Sequence, residues 1–118
     1  MSQKFTKLNY HLIWSTKYRA QKINLRWKNF LKNFLRRKIF DLGGYPIKIN
    51  MAADHVHVLT TIPARMSVAE FVKYLKGSST HEMNSVAGKQ FFAWQAGYSA
   101  FTVSEGDVGK VRKYVENQ

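Results

Sequence analysis

Cysteine is absent from the chain, which excludes a disulfide scaffold, a thiolate zinc site and a cysteine nucleophile. No apolar run approaches the ~20 residues of a membrane span, so no membrane association through a helix is expected. The first residues, Met1-Ser2-Gln3-Lys4, lack the apolar core of a signal peptide. These absences together fit a cytoplasmic protein. There is no phosphate-cradling glycine loop, and hence no nucleotide cofactor is expected. Repeats, low-complexity tracts and linkers are missing too, so residues 1–118 are expected to form a single domain.

Acidic residues are scarce. Seven Asp and Glu stand against nineteen Lys and Arg, a formal net charge of +12. Such a surplus points to a polyanionic partner, because basic side chains gain affinity by releasing counterions from phosphates. The charge is concentrated early, through Lys17, Arg19, Lys22, Arg26, Lys28, Lys32, Arg36, Arg37 and Lys38, and only Asp41 opposes it before Asp54. Acidic lipid would also attract it, but no lipidation signal is visible. Hydrophobic residues make up 45% of the 118, enough for one two-layer core and too few for a barrel enzyme with its own cofactor domain.

Segment 7–15 alternates, with Leu8, Tyr10, Leu12 and Trp14 on one face, which predicts a strand. Residues 16–23 read as a basic loop. Asn24 caps a helix to about Leu42 whose apolar positions are Trp27, Phe30, Leu31, Phe34, Leu35 and Phe40, stopped by Gly43-Gly44. A second strand runs from Tyr45 to Met51, with Tyr45, Ile47, Ile49 and Met51 in alternation, and a third from His55 to Ile62; the pair is a candidate hairpin. Ser67 and Glu70 form a capping-box pattern before a second helix. Its apolar face is Val68, Phe71, Val72 and Leu75, its pattern weakens over Gly77-Ser78-Ser79-Thr80, and it ends at Gly88. Phe91 to Ser104 reads as a fourth strand interrupted near Gly97, and Ser104 as the cap of a last helix over 107–118. The order β-α-β-β-α-β plus one helix predicts the α+β, ferredoxin-like sandwich: an antiparallel sheet with two helices on one face.

The sharpest local feature is Asp54-His55-Val56-His57-Val58. Residues two apart on a strand share a face, so His55 and His57 project together as a candidate metal pair, while the valines bury the strand. Two exposed or core histidines remain the alternative. On the last helix Val108, Val111 and Val115 form an apolar stripe, and Tyr114 and Gln118, four apart, lie at its edge. If the first two helices cover one sheet face, the last is left for the histidine face, which would gather His55, His57, Gln118 and the Tyr114 hydroxyl. An ordinary packed tyrosine and a solvated terminal glutamine are the alternatives. Lys17, Arg19, Lys73 and Lys76 are candidate contacts to such a polyanion or, equally, solvated surface charges. Tyr18, Tyr98 and Trp94 are candidate stacking groups, with core packing favoured for Trp94. His11 shares its strand face with Asn9 and Ile13, either near the metal pair or as an ordinary hydrogen-bonded histidine.

These residues resemble the single-tyrosine transposases of the insertion-sequence 200/605 type, within the HUH (His-hydrophobic-His) endonucleases. The markers are Tyr10-His11-Leu12-Ile13-Trp14-Ser15-Thr16-Lys17-Tyr18-Arg19, Asp54-His55-Val56-His57-Val58-Leu59, Lys76-Gly77-Ser78-Ser79, Trp94-Gln95-Ala96-Gly97-Tyr98, Phe101-Thr102-Val103-Ser104 and Tyr114-Val115-Glu116-Asn117-Gln118. The resemblance implies that His55 and His57 are the metal pair, Tyr114 the nucleophile and Gln118 the third ligand. It further implies a homodimer, with active sites that can be shared between subunits. Such a dimer binds single-stranded DNA hairpins at element ends and uses Mg²⁺ or Mn²⁺ to form a 5′-phosphotyrosine and a free 3′-hydroxyl. Imidazole ligands by themselves favour Mn²⁺, Co²⁺ or Zn²⁺ over Mg²⁺. The base that takes the Tyr114 proton is open. A noncatalytic nucleic-acid binder of the same fold, and a domesticated relative that processes repeated genomic hairpins, are the rival expectations.

Overall fold

The structure, a computed structural model, describes residues 8–118. Lys7 of the first predicted strand, and the Met1–Lys4 segment in which no signal peptide is expected, lie outside the described residues. The main elements are β1 (Asn9–Ser15), α1 (Leu25–Asp41), β2 (Pro46–Met51), β3 (His55–Thr61), α2 (Val68–Ala87), β4 (Ser99–Val103) and α3 (Val108–Glu116), with 3-10 turns at Lys17–Arg19 and Glu105–Asp107. The strands form one antiparallel sheet in the order β2-β3-β1-β4. This is the ferredoxin-like arrangement that the sequence predicts. Among the described residues no helix is long and apolar enough to cross a membrane.

Strand alternation gives the sheet two unlike faces. On one, Leu31, Leu35 and Ile39 of α1 and Phe71, Val72, Leu75 and Met83 of α2 close over Leu12, Trp14, Ile49, Met51, Val56 and Val58. Each side chain of this kind contributes roughly 1.5–3 kcal/mol when fully buried, so this layer carries most of the stability. A smaller cluster of Leu59, Val103 and Val115 lies on the other face, flanked by Ile47, Val108 and Val111.

The caps follow the sequence. Asn24 accepts from the Trp27 N–H and Ser67 from the Glu70 N–H. Gly44 is needed for close approach, since a Cβ there would stand 2.6 Å from the Thr61 carbonyl oxygen.

Several expectations are corrected. Ile39 is buried in place of Phe40, which is 47% exposed, because a straight 3.6-residue period from Leu35 reaches Ile39 first. Tyr45 is exposed and precedes β2. A register shift between Pro46 and Lys48 breaks the alternation, so Ile47 joins the smaller cluster while Ile49 and Met51 join the larger. Helix α2 does not weaken over 77–80, where Ser78 and Ser79 donate their hydroxyls to the Tyr74 and Leu75 carbonyls one turn back. Residues 91–98 are loop rather than strand, anchored by a bridge between Thr16 and Trp94. Ser104 opens a 3-10 turn instead of capping α3 directly, and its hydroxyl donates to the Asp107 carboxylate.

Candidate active site

β3 is flanked by β2 and β1 and cannot shift without breaking two ladders. Val56 and Val58 bury one of its faces completely, which leaves His55 and His57 together on the other, as the period of two demands. Their ring centroids are 5.0 Å apart. His57 is 4% exposed, and His55 is partly covered.

Each imidazole is held by a partner at Nδ1. His55 Nδ1 donates to Asp54 Oδ1 at 2.8 Å, and Asp54 Oδ2 accepts from Arg19 Nε at 3.1 Å. The His55 bond, reinforced by Arg19, holds the Asp54 carboxyl below its usual range. His57 Nδ1 shares a hydrogen bond of 2.9 Å with His11 Nε2. Burial, then the charges of His11 and His55, pushes His57 down to about 4, and burial lowers His11 as well. Both rings are therefore neutral near pH 7. In the tautomer in which His57 Nδ1 donates to His11, the His57 Nε2 is left unprotonated, the form a metal ion takes up.

Helix α3 lies on this same face. Val115 is fully buried against Leu59 and Val103. The stripe sets Tyr114 at its edge, 55% exposed, with its ring edge-on to His57 at 5.8 Å and to His11 at 5.9 Å between centroids. Gln118 lies one residue beyond the last turn; its Nε2 donates to the Tyr114 carbonyl at 2.9 Å. The structure thus gathers His55, His57 and Tyr114 within a single chain, with Gln118 tied to the Tyr114 backbone.

His11, expected either near the metal pair or as a hydrogen-bonded histidine, is both: it is the partner of His57. One residue of the site escaped the sequence reading. Asn50 lies directly across from His57 in the β2–β3 register and is 6% exposed. Its Nδ2 donates to the carbonyls of Val115, Glu116 and Gln118 at 3.1, 3.0 and 3.0 Å. One buried amide therefore closes the end of α3, where carbonyls lack helical partners. The only sequence signal was a polar residue between Ile49 and Met51 in a predicted strand.

The donor set suits a divalent cation: two imidazoles, each oriented by a hydrogen-bonded partner, with the Gln118 amide held at the end of α3. Among the described residues no group of three or more His, Cys, Asp or Glu could hold a metal ion. A third protein ligand here would be a neutral donor such as that amide.

The four candidate DNA contacts lie around the 91–98 loop: the Lys17 N–H donates to the Ala93 carbonyl, Arg19 lines a pocket with Gln95, Gly97 and Tyr98, and Lys73 and Lys76 of α2 line another with Gly97 and Tyr98. Arg19 is bound to Asp54, and Lys17 Nζ sits 5.4 Å from the Tyr18 ring centroid. Lys76 donates to the carbonyls of Gln95 and Gly97 at 2.8 and 2.9 Å, so it fixes the 91–98 loop. Trp94 is buried and donates its indole N–H to Ser79. A separate basic groove of about 360 Å³ lies between α1, β2 and α3, lined by Lys32, Arg36, Lys48 and Arg112. Burial, with the charges of Lys28 and Lys48, lowers the Lys32 pKa.

Known proteins agree with this architecture. Residues 4–118 match the family described as Transposase IS200 like. The ISDra2 transposase TnpA of Deinococcus radiodurans is 35% identical over 95% of this chain and 84% of its own length. The transposase for insertion sequence element IS200 of Salmonella typhimurium is 30% identical over 92% of this chain and 75% of its own. The crystal structure of a Deinococcus radiodurans R1 protein assigned as a transposase superposes with a TM-score of 0.78 at 32% identity, over 100% of this chain and 98% of that one. A REP-associated tyrosine transposase bound to a REP hairpin shares the fold, with a TM-score of 0.70 at 14% identity over 98% of this chain and 68% of that one.

Proposed function

This chain belongs to the IS200-like transposase family, and we propose that it cuts and rejoins single-stranded DNA through a tyrosine nucleophile beside a two-histidine metal site. An enzyme of this family cleaves and joins DNA. The finer reading rests above all on one observation: Tyr114 stands edge-on to His57 at 5.8 Å, on the face that carries His55.

In the proposed reaction the Tyr114 hydroxyl oxygen attacks a backbone phosphorus. A P–O bond to Tyr114 forms and the bond to the 3′ oxygen breaks. The leaving 3′ oxygen ends with the proton that Tyr114 gives up. A divalent ion, Mg²⁺ or Mn²⁺, held by His55, His57 and Gln118, would offset the charge that develops on the phosphoryl oxygens. Asp54 and His11 orient the two imidazoles. Because the 5′-phosphotyrosine conserves the energy of the phosphodiester, the 3′-hydroxyl of another strand can reverse the step and join DNA without a nucleotide.

The proposed substrates are DNA hairpins at element ends, in keeping with the +12 charge. A cytoplasmic homodimer completes the reading. β4 is an edge strand whose outer residues are exposed, Phe101 at 56% among them, and such an edge favours pairing with another chain. Since α3 packs on its own sheet, each copy would carry a complete site.

The test is incubation with single-stranded hairpin DNA and Mn²⁺, followed by a denaturing gel. A covalent adduct is expected, and Tyr114→Phe should lack it. An adduct undiminished in that variant would sink the assignment.

A further inference from the structure

The turn after β1 has a feature that the proposed chemistry leaves unused. Tyr18 and Arg19, neighbours in sequence, both adopt left-handed backbone conformations, with φ of +60° and +55°. Side chains crowd their own backbone there, and such residues persist where the surroundings enforce them. Here the Lys17 N–H donates to the Ala93 carbonyl at 2.9 Å, the Arg19 N–H to the Thr16 carbonyl at 3.0 Å, and the Thr16 hydroxyl to the Ala20 carbonyl. The Tyr18 N–H donates to Gln95 Oε1 at 3.3 Å.

The product of this strain is a tyrosine ring 84% exposed on a fixed backbone. Its surroundings combine cations with apolar side chains. Lys17 Nζ lies 5.4 Å from its centroid. Lys17, Lys22 and Phe91 line, with Tyr18 itself, a groove of about 350 Å³ beside it. One residue on, Arg19 reaches the Asp54 carboxylate that holds His55. A rigid aromatic face, flanking cations and a direct link to the metal pair occur together.

We propose that Tyr18 is a stacking platform for an unpaired base of the single strand, which Lys17 steadies by its phosphate while the strand runs on toward His55 and His57. Every base has a π face, so this contact positions the strand and does not select its sequence. The inference rests on the single-stranded DNA reading given above and deepens it.

The experiment titrates 2-aminopurine-labelled single-stranded DNA with the full chain as wild type, Tyr18→Trp, Tyr18→Ala and Tyr18→Gly, with melting temperature, sedimentation and adduct formation measured in parallel. Wild type and Tyr18→Trp should quench the fluorophore. Tyr18→Ala and Tyr18→Gly should bind roughly 5- to 100-fold more weakly, yet still form the adduct at saturating DNA. Tyr18→Gly should melt at or above the wild-type temperature, because glycine relieves the backbone strain. The proposal is overturned if Ala and Gly bind as tightly as wild type, if Tyr18→Gly melts lower in proportion to its weaker binding, or if Tyr18→Ala changes the sedimenting mass, which would make the ring a contact between copies. If wild type forms an adduct and binding ignores Tyr18, the platform alone fails. If wild type neither binds single-stranded DNA nor forms an adduct, the catalytic reading fails and takes the platform with it.

Discussion

His57 meets three demands that conflict unless its environment is arranged for them. For the proposed metal site it must be buried for rigidity, neutral, and oriented with Nε2 outward. Burial and the neighbouring His11 and His55 meet the second demand by pushing its pKa to about 4 from 6.5, and the His11 hydrogen bond meets the third. Stability should record this. Between pH 6.5 and about 4 the unfolded chain binds a proton that folded His57 refuses, so the contribution is complete above the unfolded value and is lost as pH falls. At about pH 4.5 the metal-free protein should have lost about 2 kcal/mol from this residue relative to neutral pH. Denaturant melts of wild type and His57→Gln across that range check it: the variant's profile should be flatter by that amount, and parallel profiles would contradict the account. His-x-His was legible in the sequence because a period of two is local. His11 as partner was not, because its position depends on how β1 pairs with β3.

Among the elements, α3 decides whether the tyrosine meets the histidines. Its valine stripe was readable and supplies the apolar attachment, but a stripe alone permits sliding and rotation. Asn50 removes that freedom by holding three carbonyls at the helix end. Asn50→Leu leaves those carbonyls without their donor and should cost about 1–3 kcal/mol of stability. Misplacement of Tyr114 should also slow adduct formation by roughly 10- to 100-fold, while Mn²⁺ affinity, which the proposal assigns chiefly to His55 and His57, should fall by less. Asn50→Asp keeps the shape but not the donor and should behave like Leu. Single-turnover adduct kinetics beside Mn²⁺ titration separate these effects, and equal losses in both would argue against a positioning role. In α2, by contrast, a local reading misled. Gly77-Ser78-Ser79-Thr80 looked like a weak point, yet Ser78 and Ser79 bond back into the helix, and Ser79 also receives the Trp94 indole.

At the scale of the whole molecule, net charge was plain from composition, but its geography was not. Lys17, Arg19, Lys73 and Lys76 come to lie around the 91–98 loop. The fold also converges Lys32 and Arg36 of α1, Lys48 of β2 and Arg112 of α3 on one groove. If DNA phosphates lie there, changing these four to Gln should weaken binding for all sequences alike. It should also lower the slope of log affinity against log salt by roughly 0.7 for each single-strand phosphate that is no longer neutralised. Fluorescence anisotropy over roughly 50–200 mM salt reads both quantities. An unchanged slope would place the DNA elsewhere.

The sequence by itself determined the element order, the caps at Asn24 and Ser67, the pairing of His55 with His57 on one face, and the basic character of the surface. These follow from periods of two and 3.6 residues, from capping chemistry and from composition, all of which are local or additive. Only the tertiary structure decided that Ile47 leaves the face of Ile49, that His11 and Asp54 hold the two imidazoles, that Asn50 closes α3, and that Tyr114 comes to rest against His57. Each of these depends on strand register or helix docking, where the free energy comes from residues far apart in the chain and no short window contains it.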